Sequence, residues 1–424
     1  MQEDFLHYIW KHKKVDVLNL RTTQNEPLQI VSVGHHNTNA GPDFFNAQLK
    51  IGGQLWAGNV EIHVKSSDWF VHNHEQDTAY DNVILHVVWE HDTEIYRKDY
   101  SIIPTLELHH VVDSILFDNY KKLFSNFKSK WINCEQDFAE VDTFILENWL
   151  ERLYFERLER KSKSIEDMLT ASKQDWEAVL FVLLAKNFGL KVNGDAFLSM
   201  AKSFDFSIIR KIQSKPEQLE ALLFEQFGLL DNDVQDPYFL TLAKDYQFLK
   251  HKFQLNNQEV MPIQFFRLRP PNFPTIRLSQ LAILYHIHHN LFSKTMGLTS
   301  LEAFYNVFMV SSSSYWETHY TFGKSTKTSK KNLTKSFVDL ILVNTILPLK
   351  FCYSKHMSHD LEEDILNISN AIVSESNSIV KAFNKLKQVS KSSLHSQALL
   401  QLKSEYCDKN KCLQCAVGNT LITK

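Results

Sequence analysis

Residues 41–65 read GPDFFNAQLKIGGQLWAGNVEIHVK, and the fold of the first part of the chain turns on them. Gly41-Pro42 punctuates the backbone and Gly52-Gly53 makes a tight connection. The runs 44–51 and 57–65 therefore read as the two strands of a β-hairpin. Side chains alternate across a strand with period two. Glu61, His63 and Lys65 then share one face, while Val60, Ile62 and Val64 share the other and face the core. Asp43 stands where the first strand begins. A hairpin of this length brings it beside the Glu61 end of the second.

Working outward, residues 3–12 read as a short helix with Phe5, Ile9 and Trp10 on one side, and LQIVSVG at 28–34 as a strand. A turn or short helical segment follows near 72–80. NVILHVVWE at 82–90 is a strongly apolar, central strand, and 102–108 adds another. Strict alternation places Val83, Leu85 and Val87 on one face of 82–90 and Ile84, His86 and Val88 on the other. The order is helix, three strands, short helix, strand. Five of the 11 glycines (Gly34, Gly41, Gly52, Gly53, Gly58) and eleven of the 19 histidines fall in this first part, which marks it off from the rest.

Beyond about residue 110 the periodicity becomes helical. Leu146, Trp149, Leu150, Leu153, Tyr154 and Leu158 line one face of a helix over 142–161, with Asp142 as its N-cap. Further helices are expected near 174–189, 216–227, 236–252, 277–291, 333–347, 361–386 and 393–406. RLRPPNFPTI at 267–276 is excluded from helix by its prolines. The segment 324–335, with five lysines among serines and threonines, reads as a solvated loop. The expected architecture is α+β: a mixed α/β module over 1–110, then a large all-α region over 111–424.

A net charge of −3 gives no global field toward nucleic acid, so any such binding needs a local patch. No run of about 18 uninterrupted apolar residues suggests a membrane span, and MQEDFLHYIWKHKK lacks the basic start and apolar run of a signal peptide. A cytoplasmic protein is expected, with its five cysteines as thiols or metal ligands rather than disulfides. Gly323-Lys324-Ser325 is not a phosphate loop, because Thr318 stands where that pattern needs glycine.

The polar face of the hairpin suits a metal. Mg²⁺ and Mn²⁺ favour carboxylate oxygens, so Asp43 and Glu61 can hold one of them. A nearby cation would stabilise developing charge. Lys65 is fully charged at pH 7, whereas an ordinary histidine such as His63 is charged about a quarter of the time. His63 can instead be a ligand or a general base. His72, His74 and His86, joined by Asp43 or Glu61, form the rival transition-metal set, and His35-His36 fall near the same mouth. The plain alternatives are a solvated sheet face with Glu61 paired to Lys65, and His86 as a satisfied core residue. At the other end, Cys407, Cys412 and Cys415 supply three closely spaced sulfurs for Zn²⁺ or an iron–sulfur cluster. Cys134 is the leading fourth ligand, with Cys352 and His395 behind it.

Pro42-Asp43 and Glu61-Ile62-His63, in an αβββαβ order, resemble the PD-(D/E)xK nuclease superfamily. The likeness implies a restriction-endonuclease-like module, a divalent metal on Asp43 and Glu61, and DNA or RNA as substrate. It departs at His63, where lysine is expected; Lys65, one step along the same face, can substitute. Some nucleases of that superfamily carry an iron–sulfur staple with one distant and three clustered cysteines, which the cysteine spacing resembles. The stretches GPDFFNAQLKIGG, GNVEIHVKSSDW, YDNVILHVVWEHD, RPPNFPTIRLSQLA and YCDKNKCLQCAVG resemble a bacterial family catalogued as a domain of unknown function, number 2851. That likeness implies that both ends belong to one architectural unit. Three functions follow as expectations: a metal-dependent nuclease, a non-catalytic nucleic-acid-binding or scaffold protein on a degenerate nuclease fold, and a histidine-based transition-metal hydrolase.

Overall fold

Gly52 and Gly53 take φ of +58° and +90° and turn the chain directly from β3 (Phe44–Ile51) into β4 (Gln54–Lys65). Two successive left-handed residues match the twist of the flanking strands, a requirement that glycine meets without strain. The computed structural model of the protein describes residues 1–125, 130–231, 234–358 and 361–424. The chain divides into two compact units. Unit 1 comprises Met1–Trp149 with Leu402–Lys424, and unit 2 is Leu150–Gln401. Residue 110, the expected boundary, therefore falls inside unit 1, and the C-terminal segment returns to that unit.

Unit 1 is built on a six-stranded mixed sheet. β1 (Leu28–Ser32) and the short β2 (His35–His36) both pair antiparallel with β3, and β3 pairs antiparallel with β4. β4 then pairs parallel with β5 (Val83–Glu90), and β5 parallel with β6 (Thr105–Glu107). A parallel neighbour needs a crossover. Here it runs over residues 66–82 through the short helix α2 (Asp68–Val71) and a 3₁₀ turn at Thr78–Tyr80. Asp92, just past β5, anchors its start by accepting from Ser66 Oγ (2.9 Å) and from Ser67 N and Oγ (2.9 and 2.8 Å).

One face of the sheet is covered by the helix α1 (Glu3–Lys11). Phe5, Leu6, Ile9 and Trp10 meet Phe44, Val60, Ile62, Leu85 and Val87 there, and burial of such aliphatic and aromatic side chains stabilises by roughly 1.5–3 kcal/mol each. Helix α3 (Ser114–Phe124) joins that core, with Tyr120 stacked on Phe5 at 4.0 Å. On the other face a smaller cluster of Trp69, Val83, Ile95 and Ile103 forms, with Tyr80 against it.

Two one-residue irregularities flank β4. Ala47 pairs with Gly58, but Phe44 pairs with Val60, so β3 carries one extra residue between them. Asn59 pairs with Val83, but Val60 pairs with Leu85, which leaves Ile84 as the extra residue of β5. A one-residue slip sends every following side chain to the opposite face. Strict alternation on β5 therefore fails at one point. Val83 lies on the His86 side, while Leu85 and Val87 keep the core side.

Unit 2 is helical, apart from a small ribbon of His319–Thr321 with Lys324–Ser325. Asp142 accepts from Phe144 N at 2.8 Å and caps the helix Thr143–Ala171, within which the division between the units falls. The proline-rich stretch gives a 3₁₀ turn at Pro270–Asn272, but a helix then starts at Pro274, earlier than expected. Proline fits a helix's first turn, where its missing N–H has no intrahelical partner. The expected helix 361–386 is two, Glu362–Ala371 and Ser378–Leu386, the second capped by Asn377. Helix Leu190–Lys202 carried no expectation. Lys335–Met357 is long and apolar enough to cross a membrane by length and composition, though 72% of its apolar window is buried inside the protein. In the lysine-rich segment Lys331 is buried, donating to the carbonyls of Glu317 and Ser329.

Candidate metal centre in the sheet unit

The irregularity in β3 decides where Asp43 lies. One step beyond the Phe44–Val60 pair, Asp43 stands across from Glu61. Continuing the earlier register would have set it across from Ile62, whose side chain enters the core. The two acids are locked reciprocally. Asp43 N donates to Glu61 Oε2 at 3.1 Å, and Ile62 N donates to Asp43 Oδ2 at 2.9 Å. Asn37 shapes the incoming loop: its amide reaches the carbonyls of Asn39, Ala40 and Pro42 at 3.0–3.2 Å, and its N–H donates to Asp43 O at 2.7 Å.

The irregularity in β5 acts the same way on the other side. It aligns His86 with Glu61 across the parallel pair. His63 Nδ1 then lies 2.8 Å from His86 Nε2, both side chains fully buried. The tautomer in which His63 donates from Nδ1 leaves its Nε2 lone pair free on the other side of the ring.

The crossover brings the remaining imidazoles. His72 Nδ1 lies 3.1 Å from His63 Nε2. His74 Nε2 lies 3.3 Å, and His63 Nε2 3.6 Å, from Glu61 Oε1. His74 is clamped in place, stacked on Tyr80 at 3.7 Å and edge-on to Trp69 at 5.3 Å. Among the described residues, His63, His72 and His74 are a set of three whose ligand atoms all lie within 4.8 Å of one another. Metal–nitrogen bonds of about 2.0–2.1 Å imply tetrahedral ligand–ligand edges of about 3.3 Å. The observed 3.1, 3.3 and 3.6 Å fall around that value. His74 Nε2 is buried without a hydrogen-bond partner despite its closeness to Glu61. The three imidazoles could converge on one cation, with Glu61 within reach of the His63 and His74 sides of the set.

Electrostatics suits such a set. Burial, with the charges of His74 and His72 behind it, drives His63 down to about 3, so it is neutral and keeps a lone pair. Burial lowers His86 well below its usual range. Burial pushes Glu61 up to about 7; His74 pulls against this and the Asp43 charge adds to it. The open side is formed by exposed His72, by Asp43 with a side chain 21% exposed, and by His7 of α1, 3.3 Å from Asp43 Oδ2. Burial lowers the pKa of His7, but the Asp43 hydrogen bond and charge outweigh it and leave it raised. A cleft of about 230 Å³ adjoins His74 and Tyr80 and has Arg97 and Lys98 in its wall.

Asp43, Glu61 and His63 are thus brought together. Lys65 is not with them: half exposed, it pairs with Glu90 at 3.8 Å rather than with Glu61. His72 and His74 join the set directly, and His86 stands behind His63. His36 lies beside Phe44 and His7 at the rim, with ring distances of 4.9 and 5.5 Å. His7 and Asn37 were not singled out in the sequence. The spacing of Glu3 and His7, one helical turn apart on the side of α1 away from Phe5 and Ile9, is the only local hint. Cys134, Cys407, Cys412 and Cys415 lie in the same unit and line one small cavity.

No curated protein and no solved structure matches the chain. The family described as Protein of unknown function (DUF2851) matches residues 3–378, which takes in Cys134 and the whole histidine–acid cluster, and the chain belongs to that family.

Proposed function

We propose that the sheet unit is a divalent-metal-dependent hydrolase whose ion is held by His63, His72, His74 and Glu61. The observation that carries this reading is the convergence of three imidazole nitrogens within 4.8 Å, with Glu61 Oε1 at 3.3 and 3.6 Å from two of them. An imidazole-rich set suits Zn²⁺, Mn²⁺ or Fe²⁺ better than Mg²⁺, which seeks oxygen. When bound, such an ion supplies a Lewis acid for a substrate oxygen and lowers the pKa of water.

The chain's own residues have separable tasks. His86 Nε2 accepts the hydrogen bond of His63 Nδ1–H and so fixes the ring's orientation and tautomer. Trp69 and Tyr80 exclude water from the inner side of His74. Asp43, at the open edge, is placed to accept a proton from an incoming water, with His7 beside it to neutralise the carboxylate.

Phosphodiesters of DNA or RNA are the substrate class this reading favours. Its support is the Asp43–Glu61 pair on adjacent antiparallel strands of a sheet that follows one helix and continues past a short crossover helix, an arrangement resembling PD-(D/E)xK nucleases. The His63 substitution and the Lys65–Glu90 pair depart from that pattern, so the positive group near the scissile phosphate falls to imidazole or to Arg97 and Lys98 in the adjoining cleft.

The test is metal titration followed by turnover with Mn²⁺ and Zn²⁺ on an activated phosphodiester, then on single- and double-stranded DNA and RNA. One equivalent of ion lost in His72→Ala/His74→Ala, and cleavage lost in Asp43→Asn with the ion retained, are the expected results. Ion binding without turnover on any of these substrates moves the protein to the binding or scaffold reading. No ion in the native protein overturns the proposal.

A further inference from the structure

Four of the five cysteines meet in unit 1, three from one short C-terminal stretch and Cys134 from far earlier in the sequence. Cys134 comes from the loop before the 3₁₀ turn Phe138–Glu140, and Cys407 ends the π-helical segment Leu402–Cys407. Cys412 opens the turn Cys412–Gln414, and Cys415 precedes the last helix, Ala416–Ile422. All four are free thiols, and all four line one cavity of about 20 Å³, walled by Ile132 and Phe138. That volume holds about one water-sized body. Each of the four is pushed above the usual thiol range by burial, and for Cys134, Cys407 and Cys415 the neighbouring sulfurs add to it.

A hydrophobic core gains nothing particular from lining one cavity with four thiols, and the groups around them are arranged for negative sulfur. Asn133 Nδ2 donates to Cys412 Sγ at 3.3 Å. The backbone N–H groups of Val417 and Gly418 point at the Cys415 sulfur. Gly418 is required for this approach, because a Cβ there would stand 2.1 Å from Cys412 O. Donors to sulfur favour thiolate, and thiolate is the form that binds metal.

We propose that Cys134, Cys407, Cys412 and Cys415 form a tetrathiolate site for a thiophilic metal, either a single Zn²⁺ or an iron–sulfur cluster, that fastens the C-terminal segment into the sheet unit. The same segment is already seated by Ile422 in the main core and by Asn119 Nδ2 donating to Ile422 O at 3.3 Å. The metal would thus close a loop that runs from residue 134 to residue 407. Binding displaces the thiol protons, so it strengthens as pH rises. This proposal does not rest on the hydrolase reading.

The test uses full-length protein in the His72→Ala/His74→Ala background, purified without oxygen, so that the histidine centre contributes no metal. Zinc, iron and acid-labile sulfide are measured together. One zinc with no sulfide identifies the mononuclear centre, and iron with matching sulfide and visible absorption identifies a cluster; either supports the proposal. Cys134→Ser and Cys412→Ser should lose that metal and expose the chain after residue 402 to protease. Cys352→Ser, which alters the fifth cysteine in unit 2, should keep it. Should a serine variant misfold, Co²⁺ added to the metal-stripped parent gives an independent readout through thiolate-to-cobalt charge-transfer bands. Metal content unchanged in folded Cys134→Ser and Cys412→Ser overturns the proposal. So does a native protein that carries no metal, takes up neither Zn²⁺ nor iron with sulfide, and shows four reactive thiols.

Discussion

Glu61 in the sheet unit and Glu220 in the helical unit are both buried carboxylates that burial pushes up to about 7. They differ in what faces them. Glu220 meets hydroxyls: Tyr238 donates to its Oε2, and so does Ser313 at 3.2 Å. Those neighbours bring hydrogens to Oε2, while Oε1 is buried without a hydrogen-bond partner among the described residues. Glu61 meets ring nitrogens of His63 and His74 and, beyond them, His72. A ring nitrogen can present a lone pair, and under the proposed reading a cation sits between such lone pairs and the carboxylate. Two buried carboxylates raised to about the same value therefore differ in the chemistry of their neighbours, and the proposed metal reading of Glu61 rests on that difference.

The sharpest way to break this contrast is to remove the imidazoles. His72→Ala/His74→Ala should weaken Zn²⁺ or Mn²⁺ binding by more than ~100-fold, since even outer partners of metal ligands cost 10–100-fold; calorimetric titration measures it, and unchanged affinity sinks the contrast. Next comes pH. Glu220 is raised above its usual 4.5, so its contribution to stability is complete below that value and is lost as pH rises through about 7. Glu220→Gln should remove that dependence, so its urea midpoint should overtake the native one above neutrality. Parallel curves across the range would show that Glu220 stays ionised. A smaller effect is expected of His86→Phe, which keeps the packing and deletes the partner of His63 Nδ1. Metal affinity should fall about 10–100-fold with the fold intact by circular dichroism. The smallest is Lys65→Ala. Its exposed pair with Glu90 predicts a stability change under ~1 kcal/mol and no change in metal affinity; a large loss of turnover there would restore Lys65 to the site.

Much of this unit was legible in the sequence because strand alternation and the double glycine are local signals. They assign Glu61 and His63 to one face and place Asp43 at the neighbouring strand's start. The sequence also marks His72 and His74, although not which partners they meet. What resists reading is set by contacts between strands. Neither extra residue flanking β4 has a sequence signature, so Val83 reads as a companion of Leu85 while it packs with Trp69. His7 reaches Asp43 only because α1 lies across the sheet, which no local pattern encodes. In the helical unit the break at Ile372–Asn377 is hidden for a similar reason. The segment keeps helical polarity on both sides, and only the Asn377 cap reveals the second start.

The extra residue at Ile84 also has a hereditary meaning. Loss of that one codon would close the ladder without moving its partners: Asn59 would keep Val83, Val60 would keep Leu85 and Glu61 would keep His86. A lineage could thus shed this residue and keep the same pairing beside Glu61, and relatives with one residue fewer between Tyr80 and Trp89 should still carry a histidine at the position of His86.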